Sequence, residues 1–170
     1  MKIEIKKLHD DVKIPTRGSA FAAGYDLYAY FGDTVTMNKN EYPSIHHIKM
    51  DNLADKKSIN IPPHTTAMIG TGISIAIPDG YFGAIYARSG LASKRGLRPA
   101  NCVGVIDSDY RGEIVVPLFN DTEFGTKIEM HERIAQIIIQ KFENIEFKMT
   151  NNLSSTERGD GGFGSTGSKS

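Results

Sequence analysis

Hydrophobic and polar positions alternate along the chain in short runs, the pattern of half-buried strands. Ile3, Ile5 and Leu8 line one face of a first strand. Residues 22–29 read as a turn feeding a strand, and residues 34–37 as another. Residues 73–77 alternate and stop at Pro78-Asp79-Gly80, which has turn chemistry. Residues 81–86 and 114–119 follow as strands; Pro117 cannot donate to a ladder, which predicts an edge or a bulge there. Residues 133–139 are apolar on both faces apart from Gln136, and residues 142–147 alternate again. One short helix is expected, with Ser89 as N-cap and Gly96 as its stop. Many short strands between Gly, Pro and Asn turns predict an all-β sandwich, barrel or jelly roll.

Two segments break the pattern. Residues 38–58 are polar and irregular and hold His46 and His47. Adjacent histidines rarely converge on one zinc ion, so a surface excursion, with one or two helical turns over residues 51–57, is the default. From Asn151 onward Gly, Ser, Thr and Asn dominate, too little apolar surface to fold alone. This divides the chain into a β domain over 1–150, interrupted at 38–58, and a glycine-rich arm over 151–170.

Composition narrows the class. The 170 residues suit one domain, and 20 basic residues balance 20 acidic ones. Proteins that neutralise nucleic-acid phosphates usually carry a basic excess, so nucleic acid is not the expected partner. A small phosphorylated ligand met by a few arginines remains open. Cys102 is the only cysteine, which excludes an intrachain disulfide and a cysteine zinc cluster and points to a reducing compartment, the cytoplasm. The N-terminus alternates as a strand opening, unlike a signal peptide, and no membrane span is expected.

Three polar clusters carry candidate chemistry. Arg88-Ser89-Gly90 opens the helix, and helix N-termini with added donors bind anions. The stretch from Asn101 to Glu113 reads as a hairpin: an apolar Val103-Gly104-Val105-Ile106 strand, then Asp107, then turn residues through Tyr110 to Gly112. It could equally be an ordinary Asp-rich turn. A carboxylate there could serve as a general base, beside strand edges able to read a nucleobase. The arm holds Arg158 and Phe163 among glycines, with Gly164, Ser165 and Thr166 after them, groups able to grip phosphate and stack on a base. A low-complexity tail is the alternative. Together the clusters suggest hydrolysis of a nucleoside polyphosphate with a divalent ion.

In these motifs the chain resembles the homotrimeric, all-β deoxyuridine triphosphate nucleotidohydrolase (dUTPase) family, with a distorted jelly-roll or β-clip fold. Five motifs occur in the family's order: Ala23-Gly24-Tyr25-Asp26-Leu27, Arg88-Ser89-Gly90-Leu91-Ala92, Asn101 through Gly112, Arg133-Ile134-Ala135-Gln136, and Arg158 through Gly167. The resemblance implies that dUTP is cleaved to dUMP and pyrophosphate, keeping uracil out of DNA and supplying dUMP for dTMP synthesis. It implies Asp107 as the base for in-line attack of water on the α-phosphorus. It implies that Asn101, Gly104 and the backbone of Val105 and Ile106 pair with uracil, and that Tyr110 packs under the deoxyribose. Arg88, Ser89, Gly90 and Gln136 would hold phosphates, Gln136 also orienting the water. A glutamine in an isoleucine-rich strand would otherwise need a buried partner. Mg²⁺ would ride on the phosphates, with Asp26 bonded to one of its waters. Arg158, Ser165 and Thr166 would grip the terminal phosphate, with Gly164 alongside and Phe163 on uracil. The flexible arm would cross to another subunit's site. Residues 38–58 resemble an insertion outside all five motifs. Some phage members carry extra segments and bind regulatory proteins, so a protein-binding role for the insert is a second expectation. The dCTP deaminases, which share the fold, are the enzymatic alternative.

Overall fold

The computed structural model describes residues 1–31 and 58–162. Among these residues are eleven strands and one helix. In chain order they are β1 (Glu4–Lys7), β2 (Tyr25–Tyr28), β3 (Ser58–Ile61), β4 (Thr66–Gly70), β5 (Ile73–Ala76), β6 (Tyr81–Tyr86), α1 (Ser89–Arg95), β7 (Leu97–Pro99), β8 (Gly104–Ile106), β9 (Val115–Asn120), β10 (Thr126–Glu129) and β11 (Arg133–Lys141). All recorded pairings are antiparallel. A four-stranded sheet runs β2-β11-β6-β8 and a three-stranded one β4-β9-β7, while β1-β5 and β10-β3 form two-stranded ribbons. The expected all-β class holds.

Alternation explains the layering. In β9 the residues Val116, Leu118 and Asn120 point inward and are fully buried, while Val115, Pro117 and Phe119 are half-buried on the other face. Ile69 of β4 and Leu97 of β7 share that inner layer with Leu27, Ile85, Ile134 and Ile137 of the larger sheet, in one apolar cluster. Each such side chain contributes about 1.5–3 kcal/mol by leaving water. Pro117 lies in a central strand, not on an edge. Its carbonyl accepts from Ala100 N–H at 2.7 Å, just past the last β7 pair, Pro99 with Leu118. The missing donor therefore faces the side where β7 has already ended.

Several expectations need correction. Residues 142–147 form no strand: Phe142 N–H donates to the Gly80 carbonyl at 3.1 Å, but no described strand pairs with the segment, and Ile145 and Phe147 are 65% and 87% exposed. Of the apolar residues in and beside β1, only Ile3, just before it, packs against the core, whereas Ile5 within it and Leu8 just after it are exposed. The segment predicted to end at residue 58 ends sooner, because Ser58 already pairs with Glu129. The predicted strand at 34–37 and the predicted helical turns at 51–57 lie outside the described residues, as do His46 and His47.

Candidate active site

The densest polar cluster sits where β2, β11 and β6 run side by side. Gln136 of β11 lies opposite Asp26 on one side and Tyr86 on the other. Directly paired residues share a face, so Asp26 and Gln136 project together while Leu27 and Ala135 fill the core. Asp26 is buried, 8% exposed. Arg88 Nε donates to its Oδ1 at 2.8 Å and Arg133 Nη1 to its Oδ2 at 3.2 Å. A carboxylate at this depth needs such partners, since burial without them would disfavour its charge. Gln136 Nε2 donates to the carbonyl of Ala87 at 2.9 Å. Its Oε1 lies against Gly24, where an added Cβ would come within 2.4 Å of it, so a side chain there would have to push the Gln136 amide off the Ala87 carbonyl.

This geometry revises two readings. Gln136 does have a partner inside the fold, the Ala87 carbonyl, so its place in an apolar strand does not by itself argue for a role in the site. Arg88, extended at φ −87° and ψ 128°, is the N-cap of α1, and no side chain caps the helix. Ser89 is its first residue and its hydroxyl does not cap. Helix boundaries read from sequence slip by this much because both residues border the first turn. Ser89 and Gly90 remain exposed, with N–H groups that have no carbonyl a turn earlier to bond. Gly96 closes the helix in the left-handed region, φ 62°, as predicted.

The 101–113 segment is not a hairpin. β8 pairs with β6, whereas the chain resumes after Tyr110 as β9 in the other sheet. Register is decided by contacts remote in sequence, which local alternation does not contain. Nor is the apolar run buried. β8 is an edge strand, Gly104 alone is buried, and Val105 and Val103 are 61% and 40% exposed. A Cβ at Gly104 would meet Asn101 Nδ2 at 3.2 Å and Ile85 Cβ at 3.3 Å. Asn101 thus lies over the start of the strand, and Ile106 at its end is half-buried. Asp107 leaves the strand exposed, and its carboxylate has no hydrogen-bond or ion-pair partner among the described residues. Its carbonyl accepts from Tyr110 N–H at 3.2 Å, closing the turn. Tyr110 folds back over Gly112 and donates to the Glu113 carbonyl at 2.8 Å.

The two clusters stand apart within one chain. β8 runs antiparallel to β6 with Ile106 opposite Gly83 and Gly104 opposite Ile85. Asp107 therefore emerges level with Phe82, and Arg88 follows Tyr86 at the other end. At about 3.3 Å per residue those two ends of β6 are about 13 Å apart. The protomer brings Asp26, Arg88, Ser89, Gly90 and Gln136 together, but not with Asp107 or Tyr110. Of the arm, residues through 162 are described and mostly exposed. Arg158 Nε donates to its own turn, to Gly161 O at 2.8 Å. Phe163, Gly164, Ser165 and Thr166 lie outside the described residues.

Among the described residues no three His, Cys, Asp or Glu side chains converge as metal ligands, and no helix is long and apolar enough to cross a membrane. Arg133 was given no role by sequence reasoning. Its signal is structural: the β2–β11 register shifts between Arg133 and Ala135.

Comparison with known proteins places these features in one family. The family model for dUTPase matches residues 51–167. The deoxyuridine 5'-triphosphate nucleotidohydrolase of Candida albicans is 40% identical over 157 residues, covering 91% of this chain and 81% of its own. That of Hydrogenobaculum sp. is 38% identical, covering 99% of this chain and 100% of its own. The solved dUTPase of Staphylococcus bacteriophage 80alpha with dUPNHPP superposes with a TM-score of 0.77 at 26% identity, covering 98% of each chain. The dUTPase of phage phi11 of S. aureus, described with a species-specific insert, shares the fold with a TM-score of 0.69 at 20% identity over 92% of this chain and all of its own. On this evidence from both sequence and fold, the chain belongs to the dUTPase family.

Proposed function

We propose that the chain hydrolyses dUTP to dUMP and pyrophosphate, in the cytoplasm, limiting uracil entry into DNA and supplying dUMP for dTMP synthesis. The observation that carries this reading is the pairing of an anion cluster, Arg88 with Ser89 and Gly90 at a helix start, with a carboxylate, Asp107, left exposed and, among the described residues, unpaired beside an open strand edge. Unpaired N–H and C=O groups along the β8 edge can read the edge of uracil, with Asn101 over its start. Cytosine presents a donor where uracil presents an acceptor, and a hydrogen-bonding site rejects such a mismatch strongly. Tyr110 on the rim packs under the deoxyribose and leaves no room for a 2'-hydroxyl.

In the reaction Asp107 accepts a proton from water as the water oxygen attacks the α-phosphorus. The bond from that phosphorus to the bridging oxygen breaks and pyrophosphate departs. Arg88, the free N–H groups of α1 and Gln136 hold the phosphates. The donor set fits Mg²⁺ held at second hand: Asp26 is a lone carboxylate suited to a metal-bound water, not a cage. Bound with the phosphates, Mg²⁺ supplies charge neutralisation. Arg158, Phe163, Gly164, Ser165 and Thr166 close over the substrate and exclude water.

The active assembly is a homotrimer in which each site draws on several chains. Support comes from the separation of Asp107 and Arg88 along the sheet. It comes also from residues 142–153, where Phe142, Ile145, Phe147, Met149 and Leu153 are all exposed. Monomeric proteins rarely leave such a row uncovered. The test is pyrophosphate release from dUTP, dCTP, dTTP and UTP. Release from dUTP alone supports the reading; ammonia from dCTP would assign the deaminase, and no reaction at all a non-catalytic role. A protein-binding role for the insert is a second proposal. It is favoured by the likeness to the 80alpha protein, described as one of the phage dUTPases that control transfer of virulence genes. Deleting residues 38–57 tests it while sparing Ser58 of β3; unchanged protein contacts would end it.

A further inference from the structure

Tyr110 is held by the far end of its side chain. Its hydroxyl donates to the Glu113 carbonyl at 2.8 Å. Its ring covers Gly112, where an added Cβ would lie 2.4 Å from the hydroxyl oxygen. The ring therefore stands where Glu113 lets it stand. The turn itself offers little other support: Tyr110, Arg111 and Gly112 are exposed. Arg111 Nη1 donates to the Ser108 and Tyr110 carbonyls at 2.6 and 2.9 Å, and both bonds stay inside the turn.

Glu113 is tied to the connection between β4 and β5. Its Oε1 accepts from Gly72 N–H at 2.7 Å. Gly72 is buried and left-handed, φ 67°, so the carboxylate satisfies a donor on a buried residue. The same oxygen lies against Gly70, where a Cβ would come within 2.5 Å of it. Two glycines around Thr71 thus leave a seat for one carboxylate. The next residue, Ile114, is fully buried and bonded twice over. Its N–H donates to the Ile73 carbonyl at 2.9 Å, and its carbonyl accepts from Thr71 N–H at 3.1 Å and Thr71 Oγ1 at 2.6 Å. Ile114 therefore anchors the strand without help. The Glu113 carboxylate is a second, charge-assisted tether one residue nearer to Tyr110.

We propose that Glu113 is a positioning residue for sugar discrimination: its carboxylate, seated on Gly72, steadies the carbonyl on which Tyr110 rests and so sets the height of the ring under the deoxyribose. The inference rests on the dUTPase reading and on the sugar role given there to Tyr110. It puts part of the selection against a 2'-hydroxyl in the β4–β5 connection, away from the substrate. A steric filter of this kind fails when its wall moves by about 1 Å.

The test is steady-state hydrolysis of dUTP and UTP by the full-length protein with Mg²⁺, beside denaturant midpoints. Glu113→Ala should narrow the dUTP-over-UTP ratio of kcat/KM by about threefold or more, as expected of residues coupled in one hydrogen-bonded network. Glu113→Asp, one methylene short of Gly72, should narrow it likewise and serves if Glu113→Ala does not fold. Glu113→Gln keeps an acceptor for Gly72 and should restore most of the ratio. Tyr110→Phe removes the hydroxyl that rests on the carbonyl. On that background Glu113→Ala should change the ratio by less than about twofold. An unchanged ratio in Glu113→Ala, or in Glu113→Asp where only that variant folds, would overturn the proposal. So would an equal change with and without the Tyr110 hydroxyl, because the effect would then bypass Tyr110. Failure of the unaltered chain to cleave dUTP would instead overturn the underlying reading.

Discussion

The cluster around Asp26 and the segment around Asp107 are built on opposite principles. The first is built around a buried, paired carboxylate: Asp26, Arg88, Arg133 and Gln136 each have a partner, and three adjacent strands carry the cluster. The second is exposed and unsatisfied: Asp107 has no partner among the described residues, and Val105 stands 61% open on an edge strand. A group that must hold polyphosphate gains from being preorganised, because no reorganisation is then needed at the moment of reaction. A base that must take a proton gains from an unoccupied carboxylate. What each region lacks, the other has, and the geometry of β6 keeps them apart in one chain.

The contrast can be broken at either side. Asp107→Asn should leave binding of the imido analogue intact and lower turnover by about 10²–10⁴-fold; full activity in steady-state assays would remove Asp107 from the reaction. Truncation after Thr156 should leave the fold, judged by circular dichroism, and cost about 10²-fold in kcat/KM, the scale of a misplaced substrate. Normal turnover would make the arm a tail. Tyr110→Ala should narrow the preference for dUTP over UTP by about tenfold, the scale of one lost steric or hydrogen-bonding discrimination; an unchanged ratio would move sugar selection elsewhere. Asp26→Asn acts on the buried side and, besides disturbing the metal-bound water proposed for it, should lower stability. It weakens both arginine pairs, which the partial exposure of the guanidinium groups reduces to about 1–2 kcal/mol, read as a lower denaturant midpoint. An unaltered midpoint would mean the pairs contribute nothing to the fold.

Much of this was legible in the residues. The isoleucine alternation in β5, the apolar run of β11, the Pro78-Asp79-Gly80 turn and the Gly96 stop all appear where local chemistry dictates them. Arg88 and Asp107 stood out by their neighbours in sequence. Three things were not legible, each because it depends on contacts remote along the chain. β8 pairs backward with β6 instead of forward with β9. Ala87, which supplies the acceptor for Gln136, is 49 residues away from it. The register shift beside Arg133 leaves no mark on alternation, since Ile134 and Ala135 are simply two more apolar residues. Residues 142–147 show the converse failure. Their strand pattern is genuine, but no described strand pairs with them, so alternation alone produced no strand.

On the proposed trimer, one working site joins Asp107 of one chain to Arg88 of another. Co-expressing Asp107→Asn and Arg88→Gln chains, then assaying dUTP hydrolysis by the purified mixed assembly, tests it most directly. Recovery of activity well above the sum of the two parent variants is the predicted result, because some mixed sites then contain neither substitution. Activity no greater than that sum, with mixed assemblies shown to form by mass spectrometry, would contradict it.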